Sequence, residues 1–434
     1  MIAITYSSSI PYPDAMYQKT VLENGVTIVT EHLPAVHSVS LGVWIITGSR
    51  DEETAHNGIA HFIEHMFFKG TARRSAQKIS KEIDSVGGIL NALTSKEYTG
   101  IYAKVLDKHI GVASDIIADV FLHSTFDPKE IEREREVIVQ EILLSEDTPD
   151  EHIQELFSKS FFRDHPLAMP ILGSRKTVGS INRDTLLDFL THQHYHPSKI
   201  IISATGKVNH DQIVSIFHDQ FGSIPRRNSS PARLSLAAES DVAIYTKPLE
   251  QIHICIGTQG VAQDDSSRYA GYVLNAIVGG SMSSRLFQEI REKKGLAYSI
   301  YSYFSSYFDA GMFVIYLGVS KKMAREAIKL VIAELNKCRE HGITEEELRT
   351  AQEHLKGHTL LAAESPDSRM TRLAKCEIYF NRFIPLEEIL ACIDRVSADE
   401  VQKLAQKIFD RTYLSLAALG PVSSREITPD LLDA

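Results

Sequence analysis

Apolar residues recur at helical spacing through NGIAHFIEHMFFKG (57–70), and glycines bound the segment, so it reads as a helix. A second helix opens at Asp127. Pro128 follows at the first helical position and Glu130 stands three residues after the cap, which gives DPKEIEREREVIVQEILLSEDTPDE (127–151) a strong helical start. Along it Val137, Ile138 and Ile142 are in phase to meet a core, while Glu134 and Glu141 share another face. Four stretches rich in β-branched residues predict strands: GVTIVTEHL, HSVSLGVWIITG, NALTSKEYTGIYAKVL and KIIISATGKV. Hairpin-like strands beside long helices predict an α+β fold, with an antiparallel sheet on one side and helices on the other.

The same series then repeats roughly 210 residues later, a period that marks an internal duplication. KIIISATGKV (199–208) ends at Gly206, and YLSLAALGPV (413–422) ends at Gly420. A helix opened by Asn182-Arg183-Asp184 precedes the first of these strands, and one opened by Ser397-Ala398-Asp399 precedes the second. Helices ending in EIDSVGG (82–88) and EIREKKG (289–295) each lead into two strands. Between the repeats, SIPRRNSSPARLSLAAES is rich in Ser, Pro and Arg and lacks helical periodicity. The expected organisation is therefore two homologous α/β-roll domains, 1–222 and 241–434, joined by a linker at 223–240.

Composition narrows the class without changing that picture. At 434 residues, with 43% hydrophobic and 24% charged, the chain is a globular protein too long for one ordinary core. A net charge of −10 argues against nucleic acid as a partner. No apolar run approaches the roughly 20 residues that span a bilayer, so no membrane insertion is expected. The N-terminal MIAITYSSSIPYPDAMYQK has neither the basic-then-apolar order of a secretory signal nor the arginines of a transit peptide. The four cysteines lack C-x-x-C spacing and read as free buried thiols in a reducing compartment, which makes the cytoplasm the expected location.

Chemistry concentrates on the two N-terminal helices. His61 and His65 lie one helical turn apart, so both imidazoles can reach one metal ion, and Glu64 precedes the second. This is H-x-x-E-H, the inverse of the commoner zinc motif. A chain with 18 histidines would show it by chance about 0.06 times, so alone it is suggestive, and two hydrogen-bonded helical histidines are the plain alternative. A catalytic zinc needs a third protein ligand and an open position. Glu141 is in place to supply the ligand, and Glu134, on the same face, to orient a histidine from behind. Glu132 and Glu136 read as solvated surface. No G-x-x-x-x-G-K-[ST] loop or G-x-S-x-G elbow is present.

Together these residues resemble the pitrilysin/insulinase peptidases, especially the processing-peptidase branch. That family pairs HxxEH with a glutamate about 76 residues beyond the second histidine, the separation of His65 and Glu141, and has another glutamate at the position of Glu134. The resemblance runs from ENGVTIV through NALTSKEYT and VIVQE to GGSMSSRLFQEIREKKGLAYSIYS (279–302). It implies a zinc metalloendopeptidase in which Zn2+ is held by His61, His65 and Glu141 and Glu64 is the general base. It implies that Arg291 and Tyr298 bind substrate backbone from the second half, and that Asn91, Ala92 and Thr94 belong to an edge strand to which a peptide or unfolded protein segment adds. Glu151 and Glu155 match positions that favour basic residues in substrates. Alignment of the duplicated helices puts Gly271, Leu274 and Asn275 where His61, Glu64 and His65 stand, so one metal site per chain is expected. With Arg291 and Tyr298 in the same chain, a homodimer is expected. The alternative is a non-catalytic scaffold or partner subunit of a processing-peptidase-like assembly.

Overall fold

The computed structural model describes residues 16–194, 196–225 and 240–433. Most of the expected linker lies outside these residues. The first sheet contains β1 (Tyr17–Val21), β2 (Thr27–His32), β3 (Ser38–Ile45), β4 (Ile89–Thr94), β5 (Thr99–Leu106) and β6 (Ile200–Gly206), in the order β1-β2-β6-β3-β5-β4. The second contains β7 (Val242–Thr246), β8 (Ile252–Gln259), β9 (Ala297–Ser306), β10 (Gly311–Val319) and β11 (Ser415–Gly420), in the order β7-β11-β8-β10-β9. Apart from β1 the orders are the same, as duplication requires.

Both sheets are mixed rather than wholly antiparallel. β6 lies parallel to β2, and β11 parallel to β7. The reason is the long helical excursion before each of these strands, which returns the chain to the interior of the sheet in the direction of β2 or β7. At the ends of β6 and β11, Gly206 and Gly420 take φ of +122° and +150°. A side chain on Gly206 would run into the Ser38 carbonyl, so glycine is required there. The two strands expected after EIDSVGG are the hairpin β4–β5, within NALTSKEYTGIYAKVL, turning at Ser95–Tyr98.

In the first half the helices are α1 (Ile59–Phe67), α2 (Ala76–Ser85), α3 (Ile110–His123), α4 (Pro128–Asp147), α5 (Pro149–Phe162), α6 (Arg175–Ser180), α7 (Arg183–Phe189) and α8 (His210–Phe221). The second half has α9 (Arg268–Val278), α10 (Ala324–His341), α11 (Glu345–Ala362), α12 (Pro366–Phe380), α13 (Leu386–Arg395) and α14 (Ala398–Ile408). One face of each sheet is covered by helices of its own half: Phe62, Ile117, Phe121 and Phe217 meet Leu41 and Val43 in the first core. The opposite face is covered by a helix from the other half. Phe157 and Phe161 of α5 pack on Val314 and Ala417, and Met370 and Leu373 of α12 pack on Val29, Trp44 and Ile201. A buried ion pair, Arg369 to Glu31 at 2.6 Å, fastens α12 to the first sheet. This exchange joins the halves through two apolar layers, which sequence periodicity did not foretell. Val137, expected in the core, is 49% exposed, whereas Ile138 and Ile142 are buried. No described helix is long and apolar enough to cross a membrane, and the four cysteines are free, three of them buried.

Candidate metal centre

α1 is short, apolar on its core side and held at its start by an unusual anchor. Gly58 caps it with φ +97°, and the buried Glu52 carboxylate accepts bonds from the Gly58 and Ala60 amides at 2.8 and 2.9 Å and from Asn57 Nδ2 at 2.7 Å. A carboxylate at a helix N-terminus meets both the unpaired amides and the favourable end of the helix dipole. Burial nevertheless pushes the Glu52 carboxyl up to about 7, against the pull of those donors.

One turn on, His61 and His65 project together, with ring centroids 4.7 Å apart. Glu141 arrives from α4, whose N-terminus is set by the Asp127 side chain accepting from the Lys129 amide. Glu141 Oε2 lies 3.7 Å from His61 Nε2 and 3.5 Å from His65 Nε2. These three donor atoms converge within 4.8 Å of one another. Tetrahedral coordination with bonds of about 2.0–2.1 Å sets ligand atoms roughly 3.4 Å apart, so a small N/O-preferring divalent cation fits the set. His61 is buried and pushed down to about 4, by desolvation first and then by His65, against Glu141, so its ring is neutral as a ligand must be. Desolvation acts on His65 in the same sense, but its bonds and charge interactions with Glu141 and Glu134 hold it above the ordinary value. Glu141 is held low by its bond to His65.

Behind the cluster, Glu134 is buried, lies 3.0 Å from His65 Nδ1 through Oε2 and accepts from Lys69 Nζ at 2.6 Å through Oε1. Glu64 stands on α1 between the two histidines, its Oε2 accepting from Thr94 Oγ1 at 2.6 Å. Burial raises the Glu64 carboxyl, and the Thr94 bond works against that rise.

Other expected site residues fall elsewhere. β4 is an edge of the sheet, as the resemblance implied. On it Asn91 is exposed and bonds the Ala92 amide, Ala92 is packed in the core, and Thr94 reaches Glu64 instead of solvent. Glu151 is exposed on the first turn of α5; Glu155 is half-buried and pushed up by burial, opposed by the nearby Lys96. Arg291 and Tyr298 come together, the guanidinium 5.5 Å over the Tyr298 ring, with Tyr298 81% exposed. Among the described residues, no bond or ring contact joins either of them to His61, His65 or Glu141. Tyr298 is near one end of β9, and the other end, followed by Phe308, is the one that meets the β4–β5 hairpin. That is a separation of about 26 Å along the strand. The roles of Glu52, Lys69 and Thr94 beside the cluster were missed. Only Thr94, on the edge strand, carried any signal, and the signal pointed to a different role.

Fold and donor set together describe a two-domain protein built around a candidate hydrolytic metal centre. The model of the insulinase family, peptidase family M16, matches residues 27–175, and that of the peptidase M16 inactive domain matches residues 180–355. An uncharacterized zinc protease of Bacillus subtilis is 41% identical over 94% of this chain and 98% of its own length. One from Streptomyces coelicolor is 38% identical over 94% of this chain and 90% of its own. Among solved structures, a peptidase M16 inactive domain from Pseudomonas fluorescens superposes with a TM-score of 0.87 at 20% identity, covering 94% of this chain and 98% of that one. A protease from Helicobacter pylori gives 0.86 at 21%, covering 93% and 99%. The chain belongs to the insulinase family of peptidases, family M16.

Proposed function

We propose that this protein is a zinc metalloendopeptidase acting on unfolded peptide segments, with His61, His65 and Glu141 as ligands and Glu64 as general base. The observation that carries the reading is the Glu64 carboxylate beside three convergent donors, fixed by Thr94. The zinc-protease names of its relatives agree with it. Held by His61, His65 and Glu141, zinc would supply Lewis acidity to a substrate carbonyl and to the attacking water. Glu64 accepts the proton of the attacking water and returns it to the leaving amine nitrogen. Burial favours this task by making Glu64 more basic than a solvated carboxylate, while the Thr94 bond opposes that rise and fixes the direction of the carboxylate. Glu134 holds His65 with Nδ1 as donor, which leaves Nε2 free to ligate.

The open edge of β4 suits a substrate added as a further strand, read through its main chain and so tolerant of sequence. Asn91 faces that edge as a contact. Glu151 and Glu155 bias the site towards basic side chains, as in a processing peptidase. Arg291 and Tyr298 bind substrate backbone in a homodimer, and residues 241–434 serve substrate binding while 1–222 hold the metal. A non-catalytic scaffold is the weaker reading, because this chain keeps Glu64 together with all three candidate ligands.

Cleavage of a quenched fluorescent peptide by wild type and Glu64→Gln tests the proposal. Activity lost on chelation, restored by zinc and missing in Glu64→Gln is expected. A zinc-loaded wild type that cuts no unfolded peptide would favour the scaffold.

A further inference from the structure

Two short segments flank the candidate active centre, and each has one grip on that centre and one on the other half of the molecule. The first is 48–52. Its Glu52 holds the start of α1, the helix of His61, Glu64 and His65. The second is the end of β4 and its turn, 94–97, in which Thr94 bonds Glu64. The segments are tied together by main-chain bonds, Ser49 N to Ser95 O at 3.0 Å and Arg50 N to Lys96 O at 2.8 Å. They approach so closely at Gly48 that a side chain there would strike Ser95 O and the Glu97 amide.

The grips on the second half come from the neighbouring residues. Arg50 Nη1 donates to Glu97 Oε1 at 2.6 Å, and its two Nη groups donate to the two Asp309 oxygens at 2.8 and 3.2 Å. Both Glu97 oxygens accept from the Phe308 amide, at 3.0 and 3.1 Å. Phe308 and Asp309 form the turn between β9 and β10. The side chains of Arg50 and Glu97 are almost wholly buried, at 2% and 1% exposure. A buried ion pair of this kind adds little net stability compared with apolar packing, but its directional bonds admit one arrangement. The two halves are already joined by the apolar layers under α5 and α12. What the ionic clasp adds is directional register beside the supports of Glu64, where Leu93 and Tyr98 already pack against α12 of the second half.

We infer that the Phe308–Asp309 turn is a positioning element for the active centre: through Arg50 and Glu97 it fixes the two segments that aim Glu64 and seat the start of α1. The inference rests on the peptidase reading only for its kinetic consequence. Asp309 acts through Arg50, and Arg50 through the segments, so none of them is a catalytic residue.

The test compares wild type, Asp309→Asn and Asp309→Glu as full-length protein, with zinc content, kcat, KM and amide hydrogen exchange measured on each. Catalysis is sensitive to misplacement of about 1 Å, which costs up to ~100-fold. Asp309→Asn is expected to lower kcat about tenfold or more with KM and zinc content little changed, and to speed exchange at 94–98 and 58–60 as well as at 306–310. Asp309→Glu should restore part of both. Faster exchange confined to 306–310, or a lower melting temperature with kcat and the 94–98 amides unchanged, would overturn the inference. If wild type proves inactive, the peptidase reading fails, and the exchange pattern alone still decides whether the turn positions the two segments. Should Asp309→Asn not fold, Glu97→Gln, which weakens the parallel link from Arg50 and the Phe308 amide, takes its place under the same criteria.

Discussion

Replacing Glu134 by Gln isolates the contribution of the buried carboxylate that touches no substrate and no metal. It lies 3.0 Å from His65 Nδ1 and 2.6 Å from Lys69 Nζ. As an ionised acceptor it allows only one tautomer of a neutral His65, with the proton on Nδ1 and the lone pair on Nε2 turned toward His61 and Glu141. Glutamine fills the same volume but changes this in two ways. Its carbonyl is a weaker acceptor than a carboxylate, by roughly a factor of two. Its amide can also rotate to donate to Nδ1, which puts the proton on Nε2 and blocks ligation. Loss of such a partner typically weakens metal binding by about 10–100-fold, or ~1.4–2.7 kcal/mol. Lys69, left with no carboxylate there, is part-exposed and can turn to water, so the fold should survive. Competition with a chromophoric chelator measures the zinc affinity directly, without any substrate. An affinity of Glu134→Gln within twofold of wild type would refute the reasoning, because the tautomer would then be set by something other than Glu134.

Further outcomes follow from neighbouring contacts. Thr94→Val removes the donor that opposes the burial-induced rise of the Glu64 carboxyl. The acid limb of kcat/KM should therefore move to higher pH, with the loss greatest at low pH; a uniform loss at all pH values would contradict this. Arg291→Ala should raise KM or lower kcat/KM about tenfold with zinc content unchanged, whereas equal kinetics would remove it from substrate binding. Glu52 has a raised folded carboxyl, about 7 against an ordinary 4.5. The folded state therefore binds more protons than the unfolded one between those values, and stability falls as pH rises through that window. The integrated effect is roughly 3 kcal/mol. Glu52→Gln should lack that part of the slope in denaturant titrations between pH 5 and 7.5, and parallel slopes would count against the argument.

Much of this was legible in the chain. The H-x-x-E-H helix, the Asp127-Pro128 start of α4 and the recurrence of Gly206 at Gly420 are local signals, written in spacing and cap chemistry, and the folded chain keeps them. The fold class and its duplication follow from them. Long-range contacts were not legible. Nothing in the period of α5 or α12 says that its apolar face meets the other half's sheet, because amphipathicity specifies a buried face and not its partner. Val137 was misassigned for a related reason. On a helix that presents Glu141 to a cleft, a residue four positions away shares the open face. Thr94 and Glu52 were invisible as supports because one side-chain bond across a sheet edge, or one buried carboxylate at a helix start, leaves no periodic mark. Arg291 and Tyr298 were readable as a pair but not as a place, since the positions of Tyr298 on β9 and of Arg291 in the helical turn before it follow from sheet assembly.

The central claim concerns where one metal ion sits. Anomalous scattering from a crystal of the zinc-loaded protein, recorded on both sides of the zinc absorption edge, tests it most directly. One peak per chain is predicted, within about 2.0–2.2 Å of Nε2 of His61, Nε2 of His65 and a carboxylate oxygen of Glu141. A peak elsewhere, or none at this cluster in a zinc-saturated crystal, would contradict the account.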